Sequence, residues 1–252
     1  MALELHETIQ LRINQLDVAG RWKMASILVE MQELGERHAG ELGFPREFLV
    51  RSGMCWVLYI QRIEMRAYPG LGDTVHMITW PGPIEGLFFP RRYRFERPDG
   101  TLYGEAATSW VLLSLENRRL LRPSALPGTL LVNTRRTSDM PMPGALRMDG
   151  LEPLCRRSVV FSDLDINGHM NNARYAEWVY DLLDADRLRA DGLKSLQINY
   201  IAEGRLGEEA QLNGVMLDGR MLIRGAKTAD GRRMFEAEAV YMPPEPQEDG
   251  LF

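Results

Sequence analysis

The chain has 252 residues, 45% of them hydrophobic and 26% charged, with a formal net charge of −5. That length holds one large domain or two of about 125 residues, with a core large enough to need no disulfide or metal staple. The negative balance argues against nucleic acid as the main partner, and the two distant cysteines, Cys55 and Cys155, give no metal-binding spacing and suit a reducing compartment. No segment approaches the roughly 20 apolar residues of a membrane span. The opening MALELHETIQLRINQLD has no basic patch leading into an apolar run, so no secretory or transit leader is expected and the cytoplasm is the expected location.

In chain order, the sequence predicts a strand over 8–14, then a loop carrying Leu16-Asp17-Val18-Ala19-Gly20. A helix follows, on which Met24, Ile27, Leu28, Met31 and Leu34 recur at helical spacing and form one apolar face. β-rich stretches come next, over 54–66, 74–80, 87–95 and 102–115, with Asp99-Gly100 as a hairpin turn. The segment 133–150, holding Pro141, Pro143 and Gly144, shows no period and reads as a linker. The pattern then repeats. A strand is expected over 155–161, followed by the loop Leu164-Asp165-Ile166-Asn167-Gly168 and a helix bearing Tyr175, Ala176, Trp178, Val179, Leu182 and Leu183. Strands over 196–201, 210–217, 221–227 and 234–242 follow, with Asp230-Gly231 as the matching turn. The end, 243–252, is Pro-rich and acidic and reads as a frayed tail.

The repetition extends to single residues. At a shift of 148, Leu16-Asp17-Val18-Ala19-Gly20-Arg21 lies over Leu164-Asp165-Ile166-Asn167-Gly168-His169. At a shift of 135, Leu71-Gly72-Asp73 lies over Leu206-Gly207-Glu208, and at 131, Asp99-Gly100 lies over Asp230-Gly231. Three matches in the same order point to two diverged copies of one unit. The expected fold is α+β, with a curved antiparallel sheet wrapped around one helix in each copy. The expected division is 1–132 for the first unit, 133–150 for the linker and 151–242 for the second unit.

The duplication acts as an internal control on candidate site residues. Asp17 matches Asp165 and Gly20 matches Gly168, so a loop-building role explains both pairs. By contrast Asn167 faces Ala19, His169 faces Arg21 and Glu203 faces Tyr68. The second copy alone therefore carries residues with acid–base chemistry. Histidine is the side chain best suited to move a proton near neutral pH. His169 sits where a helix begins, and free N–H groups at a helix start favour a developing oxyanion. His6, His38 and His76 lack that setting. Asn167 can donate a further hydrogen bond, although an Asx turn also explains it. There is no G-x-S-x-G elbow and no phosphate-binding glycine motif. Cys55 lies in an apolar strand and is expected to be inert core, and Cys155, though followed by Arg156-Arg157, reads as a strand residue.

The run Asp165-Ile166-Asn167-Gly168-His169-Met170-Asn171-Asn172 resembles the loop entering the second-domain helix of acyl-acyl carrier protein thioesterases. The resemblance continues at Met31-Gln32-Glu33 with His38, at Trp56-Val57-Leu58, and at Tyr68-Pro69-Gly70-Leu71-Gly72-Asp73-Thr74. It also includes Thr79-Trp80 and Ala107-Thr108-Ser109-Trp110-Val111. It implies a tandem, or double, hotdog fold in which the first unit selects the acyl chain and the second carries the catalytic residues. The family's implicated residues fall on Asp165, Asn167, His169 and Glu203. Older schemes for some members also place a cysteine just after the glutamate. Here that position is Gly204, which favours direct attack by water. The resemblance further implies a bacterial member, no metal or other cofactor, and acyl carrier protein as partner.

Met24, Ile27, Leu28 and Met31 are the candidate acyl-chain pocket, though the same pattern is simply a core face. Acyl carrier proteins are acidic, so docking on a net-negative chain needs a local basic patch. The candidates are Arg91-Arg92 with Arg94, Arg118-Arg119 with Arg122, Arg135-Arg136 and Arg156-Arg157. Three alternatives stay open: an acyl-coenzyme A thioesterase, a non-catalytic acyl-binding module and a hotdog dehydratase. The oligomeric state is also open, a homodimer included.

Overall fold

A computed structural model describes residues 2–243; all but the first residue of the expected tail lies outside them. The first half runs β1 (Leu5–Gln10), α1 (Met24–Glu41), α2 (Arg46–Arg51), β2 (Met54–Met65), β3 (Thr74–Pro81), β4 (Phe89–Glu96), β5 (Leu102–Ser114) and the short β6 (Leu120–Leu121). The second half runs β7 (Glu152–Ser158), α3 (Asn172–Tyr180), α4 (Ala185–Ala190), β8 (Leu193–Tyr200), β9 (Glu209–Leu217), β10 (Arg220–Lys227) and β11 (Arg233–Tyr241). The strands form one antiparallel sheet in the order β1-β3-β4-β5-β2-β8-β11-β10-β9-β7, with β6 paired to β5. Read inward from either end, the order is the same once β7–β11 are matched to the first half. The two halves are therefore copies of one unit joined at β2 and β8, a double hotdog.

Local sequence explains most of the elements. On α1, Met24, Ile27, Leu28, Met31, Leu34 and His38 are buried, the stripe expected of a helix laid in a sheet. Asn171 caps α3, its side-chain oxygen accepting the Ala173 N–H at 2.9 Å. The two Asp-Gly turns are built alike. Asp99 accepts the Thr101 N–H at 2.9 Å and Asp230 the Arg232 N–H at 2.9 Å, while Gly100 and Gly231 take φ of 86° and 71°.

Several boundaries differ from expectation, for reasons that lie in the partner strand. β1 starts at Leu5 and stops at Gln10, not Asn14, because its partner β3 begins at Thr74, opposite Gln10. β7 stops at Ser158, not Phe161, because β9 begins at Glu209, opposite Ser158. Helix α3 ends at Tyr180, so Leu182 and Leu183 fall in the turn beyond it. Helices α2 and α4 were not expected. At six residues each they are too short to show a period.

The stretch between β6 and β7 is irregular but tied down. Asn133 and Arg136 donate to Glu4 at 2.8 and 2.7 Å, and Gln197 and Asn199 donate to the Gly144 carbonyl at 2.6 and 3.2 Å. Leu196 and Ile198 point into the core, so this segment covers the opposite face of the sheet. Under α1 the core contains a polar pair. Arg91, 8% exposed, donates to His38 Nδ1 at 3.0 Å and to Thr79 at 3.2 Å, and His38 Nε2 lies 3.2 Å from the Ala2 carbonyl. Arginine only donates, so Nδ1 accepts and the Nε2 hydrogen faces the carbonyl.

Burial, then the Arg91 charge, lowers the His38 pKa. The folded chain thus refuses a proton that the unfolded chain takes up below about pH 6.5. Stability should therefore be full above that pH and fall as the pH drops from there toward the lowered value. His38→Gln keeps one acceptor and one donor and should flatten this fall. Urea unfolding midpoints between pH 5 and 8 check it, and identical pH slopes in the two proteins would refute the assignment.

Candidate active site

The Asp165 loop is a small closed turn. The Asp165 N–H donates to the His169 carbonyl at 2.9 Å, Gly168 N–H donates back to the Asp165 carbonyl at 3.0 Å, and Asp165 Oδ1 accepts the Asn167 N–H at 2.8 Å. Gly168 adopts φ of 72°. The first copy builds the same turn. Asp17 accepts the Ala19 and Arg21 N–H groups at 2.9 Å, and Gly20 adopts φ of 75°. Asp165 therefore orders the loop. Among the described residues no bond joins it to the His169 ring, so it does not orient that ring directly.

One backbone bond sets the rest. Met170 N–H donates to the Gly204 carbonyl at 2.8 Å, which lays residues 169 and 203 side by side. His169 Nε2 then stands 3.2 Å from Glu203 Oε2, with side chains 24% and 34% exposed. The two are in polar contact and open to water. The other Glu203 oxygen contacts Arg118, and Arg205 lies 3.6 Å from Oε2. Asn167 Oδ1 accepts from Arg46 at 2.9 Å, and its Nδ2 lies 3.3 Å from Asp165 Oδ2. Glu203, distant in sequence, is thus brought against His169, and Asn167 stands on the same loop as the histidine. Arg46 and Arg118 from the first half were not expected there. No local pattern marks Arg46, and Arg118 was expected only as part of a basic docking cluster; both contacts depend on how the units pair.

The start of α3 supplies a donor. The Asn171 N–H is taken by the Asp163 carbonyl at 2.8 Å, so of the N–H groups at this helix start it is not free for a substrate. The Asn172 N–H has no acceptor among the described residues. Beneath the site, the Gly204 N–H donates to the Tyr175 hydroxyl at 3.2 Å. Burial pushes the Tyr175 pKa up to about 12, so this phenol stays neutral.

Asn172 also borders a crevice between α1 and strands β2, β4 and β5. Leu28, Met31, Gln32, Leu58 and Tyr93 line it. Its free volume is about 10 Å³, room for about one water. An acyl chain enters only if these side chains move. Of the four expected pocket residues, Leu28 and Met31 line the crevice. Met24 and Ile27 do not; both are fully buried core. A larger groove of about 320 Å³ between α1 and α3 is lined mainly by polar groups such as Asn14, Lys23, Asp163 and Glu177, which does not suit an alkyl chain.

In the first copy the equivalent bond, Trp22 N–H to the Pro69 carbonyl at 3.1 Å, brings Arg21 beside Tyr68. Those side chains serve structure. Arg21 donates to the Leu188 and Ala190 carbonyls at the end of α4, at 2.8 and 2.6 Å, and Tyr68 donates to the Leu193 carbonyl at 2.7 Å. Burial raises the Tyr68 pKa, so its phenol stays protonated.

Two expectations about reactive and basic groups need correction. Cys55 is half-buried rather than core, and lies in the field of Arg118, Glu203 and Arg46; burial raises its pKa, so the thiol stays protonated. Among the docking candidates, Arg91 is buried and pairs with His38, Arg92 donates to the Met140 carbonyl, and Arg94 lies near Glu96 and Glu105 at 3.3 and 3.7 Å. Their alternation put Arg92 and Arg94 on one face as expected, but that face is the one the linker covers. Arg135 is exposed, while Arg136 pairs with Glu4. Arg156 and Arg157 pair with Glu209 and Asp181 at 3.4 and 2.8 Å. Arg119 and Arg122 are exposed.

Residues 3–124 match the family model of the acyl-ACP thioesterase N-terminal domain, and residues 154–224 that of the C-terminal domain. The chain belongs to the acyl-ACP thioesterase family. Relatives include the chloroplastic oleoyl-acyl carrier protein thioesterase 1 of Arabidopsis thaliana, 28% identical over 69% of this chain and 53% of the relative. The chain thus spans about half the length of the curated relatives it matches. In fold it is similar to an acyl-ACP thioesterase from Bacteroides thetaiotaomicron, with a TM-score of 0.88 at 21% identity over 94% of this chain and 97% of that one. A 12:0-ACP thioesterase from Umbellularia californica matches with a TM-score of 0.76 at 18% identity over 96% and 98%. Among the described residues no helix is long and apolar enough to cross a membrane.

Within the family scheme that adds a cysteine after the glutamate, Gly204 is the departure. A Cβ there would lie 2.9 Å from Met234 Cε and 3.2 Å from both Met170 Cβ and Val159 Cγ2. Any side chain at this position must displace the Met234 methyl and press on Met170 and Val159. Gly204→Cys should lower unfolding stability by about 1–3 kcal/mol through overpacking and should bring no gain in turnover. Denaturant melts with parallel rate measurements check this, and a stable, faster Gly204→Cys enzyme would overturn it.

Proposed function

We propose that this chain hydrolyses the thioester of a fatty acyl group carried on acyl carrier protein, releasing the free acid and the carrier thiol. The observation that carries the reading is the half-exposed His169–Glu203 pair, 3.2 Å apart at the mouth of α3, in a chain of this family. Water held between the pair and the substrate loses a proton to one of them as its oxygen attacks the thioester carbon. The oxyanion so formed faces the free Asn172 N–H and the Asn167 amide. When the tetrahedral intermediate collapses, the C–S bond breaks and the departing sulfur takes the proton back. Asp165 keeps the loop that presents Asn167 and His169. Cys55 stays protonated and takes no covalent part. The division of labour follows the duplication: residues 1–132 receive the acyl chain in the crevice beside Leu28 and Met31, and residues 151–242 carry the chemistry.

The test is a panel of acyl thioesters on carrier protein and on coenzyme A, with released acid measured. Wild type should turn over the carrier substrates faster. His169→Ala and Glu203→Ala should each lose about 10²-fold or more, the scale of general-base assistance. Arg21→Ala, whose partner is α4, should lose stability rather than turnover. Equal loss of turnover in folded Arg21→Ala and His169→Ala would refute the one-sided site, and faster turnover of coenzyme A esters would assign the other carrier.

A second expectation concerns the surface. Arg119→Glu with Arg122→Glu should raise KM for the acyl-carrier substrate at low salt, leave a small acyl thioester unaffected, and lose its effect as salt screens exposed charges. An unchanged KM would remove these two residues as the docking patch.

A further inference from the structure

The two arginines that reach the site from the first unit have different targets. Arg46, the first residue of α2, donates to Asn167 Oδ1 at 2.9 Å. Arg118, at the tip of the β5–β6 turn, contacts Glu203 Oε1. Arg118 adopts φ of 59°, a left-handed conformation unfavourable for a side chain of this kind. Backbone bonds hold it there: its own N–H donates to the Ser114 carbonyl at 3.0 Å, and Ser114 N–H donates to the Arg119 carbonyl at 2.9 Å. The backbone of Arg118 is therefore fixed in the orientation from which its side chain reaches Glu203.

We propose that Arg46 and Arg118 are positioning residues for the hydrolysis proposed above, so that the site is shared between the two units. The argument for Arg46 rests on what each group can do. A guanidinium only donates and an ionised carboxylate only accepts. Asn167 lies between Arg46 on one side and Asp165 Oδ2, 3.3 Å away, on the other. Its amide oxygen must therefore turn to Arg46 and its NH₂ toward Asp165, which leaves the second N–H for a carbonyl. Without Arg46 the amide keeps only the long contact to Asp165 and loses the anchor on its oxygen, so the N–H meant for the carbonyl is no longer held in place. For Glu203 the constraint is on place. With Oε1 held by Arg118, Oε2 is the oxygen left beside His169 Nε2 at 3.2 Å. Without Arg118 the carboxylate can swing toward Arg205, 3.6 Å away and exposed, and leave the histidine.

The rival role for exposed arginines beside a catalytic pair is recognition of the phosphate on the pantetheine arm or of the carrier itself. The two roles separate on substrates with and without phosphate. Steady-state kinetics of the full chain should compare wild type, Arg46→Ala, Arg118→Ala, Arg46→Lys and Arg118→Lys. Arg51→Ala, an exposed residue at the far end of α2, serves as control. The substrates are acyl-carrier protein and the same acyl group on N-acetylcysteamine, which has no phosphate. Positioning predicts that kcat falls at least about tenfold in both alanine variants on both substrates, as small misplacements in an active site do, with KM nearly unchanged. Each contact uses one nitrogen, so lysine should restore part of kcat, and Arg51→Ala should match wild type. Circular dichroism confirms that each variant is folded, and the lysine variants carry the test if an alanine variant is not. A rise in KM confined to the carrier substrate, with kcat kept, would overturn the inference in favour of phosphate or carrier binding. An active wild type matched by folded Arg46→Ala and Arg118→Ala overturns this inference alone. A wild type inert on both thioesters overturns the hydrolase reading together with it.

Discussion

The structure depends on the antiparallel pairing of β2 with β8, five residue pairs from Ile60↔Asn199 to Glu64↔Ser195. Each strand is the inner edge of its own unit, and an unpaired edge leaves a row of N–H and C=O groups unsatisfied. Joining the two edges satisfies both rows and fixes the units about an approximate two-fold. That symmetry lays α1 against α3. It also decides which loop meets which neighbour: the Asp165 loop meets α2, Glu203 meets the β5–β6 turn, and the Asp17 loop meets α4.

The pairing therefore creates two related places, and sequence divergence has given them opposite uses. Both contain an Asp-led turn tied by one backbone bond to the residue after position 68 or 203. At one, Arg21 caps the carbonyl end of α4, where a cation is favoured, and Tyr68 is held by a backbone carbonyl. At the other, a carboxylate and an imidazole remain half-exposed, and the neighbouring unit contributes guanidinium groups in place of carbonyls. The first place has become a clamp between units. The second keeps groups able to move a proton.

What the sequence made legible were features whose cause is local. The Asp-Gly turns, the apolar stripe of α1, the paired Asp and Gly of the two loops, and the contrast of His169 with Arg21 all follow from short-range chemistry. Their correspondence also exposed the duplication, and so the fold. What remained hidden was set by distant partners. The ends of β1 and β7 are fixed by where β3 and β9 begin. The burial of Arg91 depends on a histidine on α1, and Arg92 and Arg94 lie beneath a linker whose path no periodicity records. Arg46 carries no signal of its own and the basic cluster around Arg118 suggested a docking patch, because the contact of each with the site arises only when β2 meets β8. Met24 and Ile27 share a buried helical face with Leu28 and Met31, and only three-dimensional packing sets the second pair beside the crevice.

The same junction bears on how the protein is made. On the ribosome β2 emerges early and β8 only after the rest of the first unit and the linker have been synthesised. Throughout that interval the nascent first unit displays an open strand edge, the feature that invites pairing with another nascent chain or domain exchange. The edge carries Arg62 and Glu64 between its apolar residues, and charges on an unpaired strand discourage such pairing. In the finished sheet Arg62 is partly buried between Glu64 and Glu238. The charged register of β2 thus suits both an open edge, where like strands are discouraged from pairing, and the finished sheet.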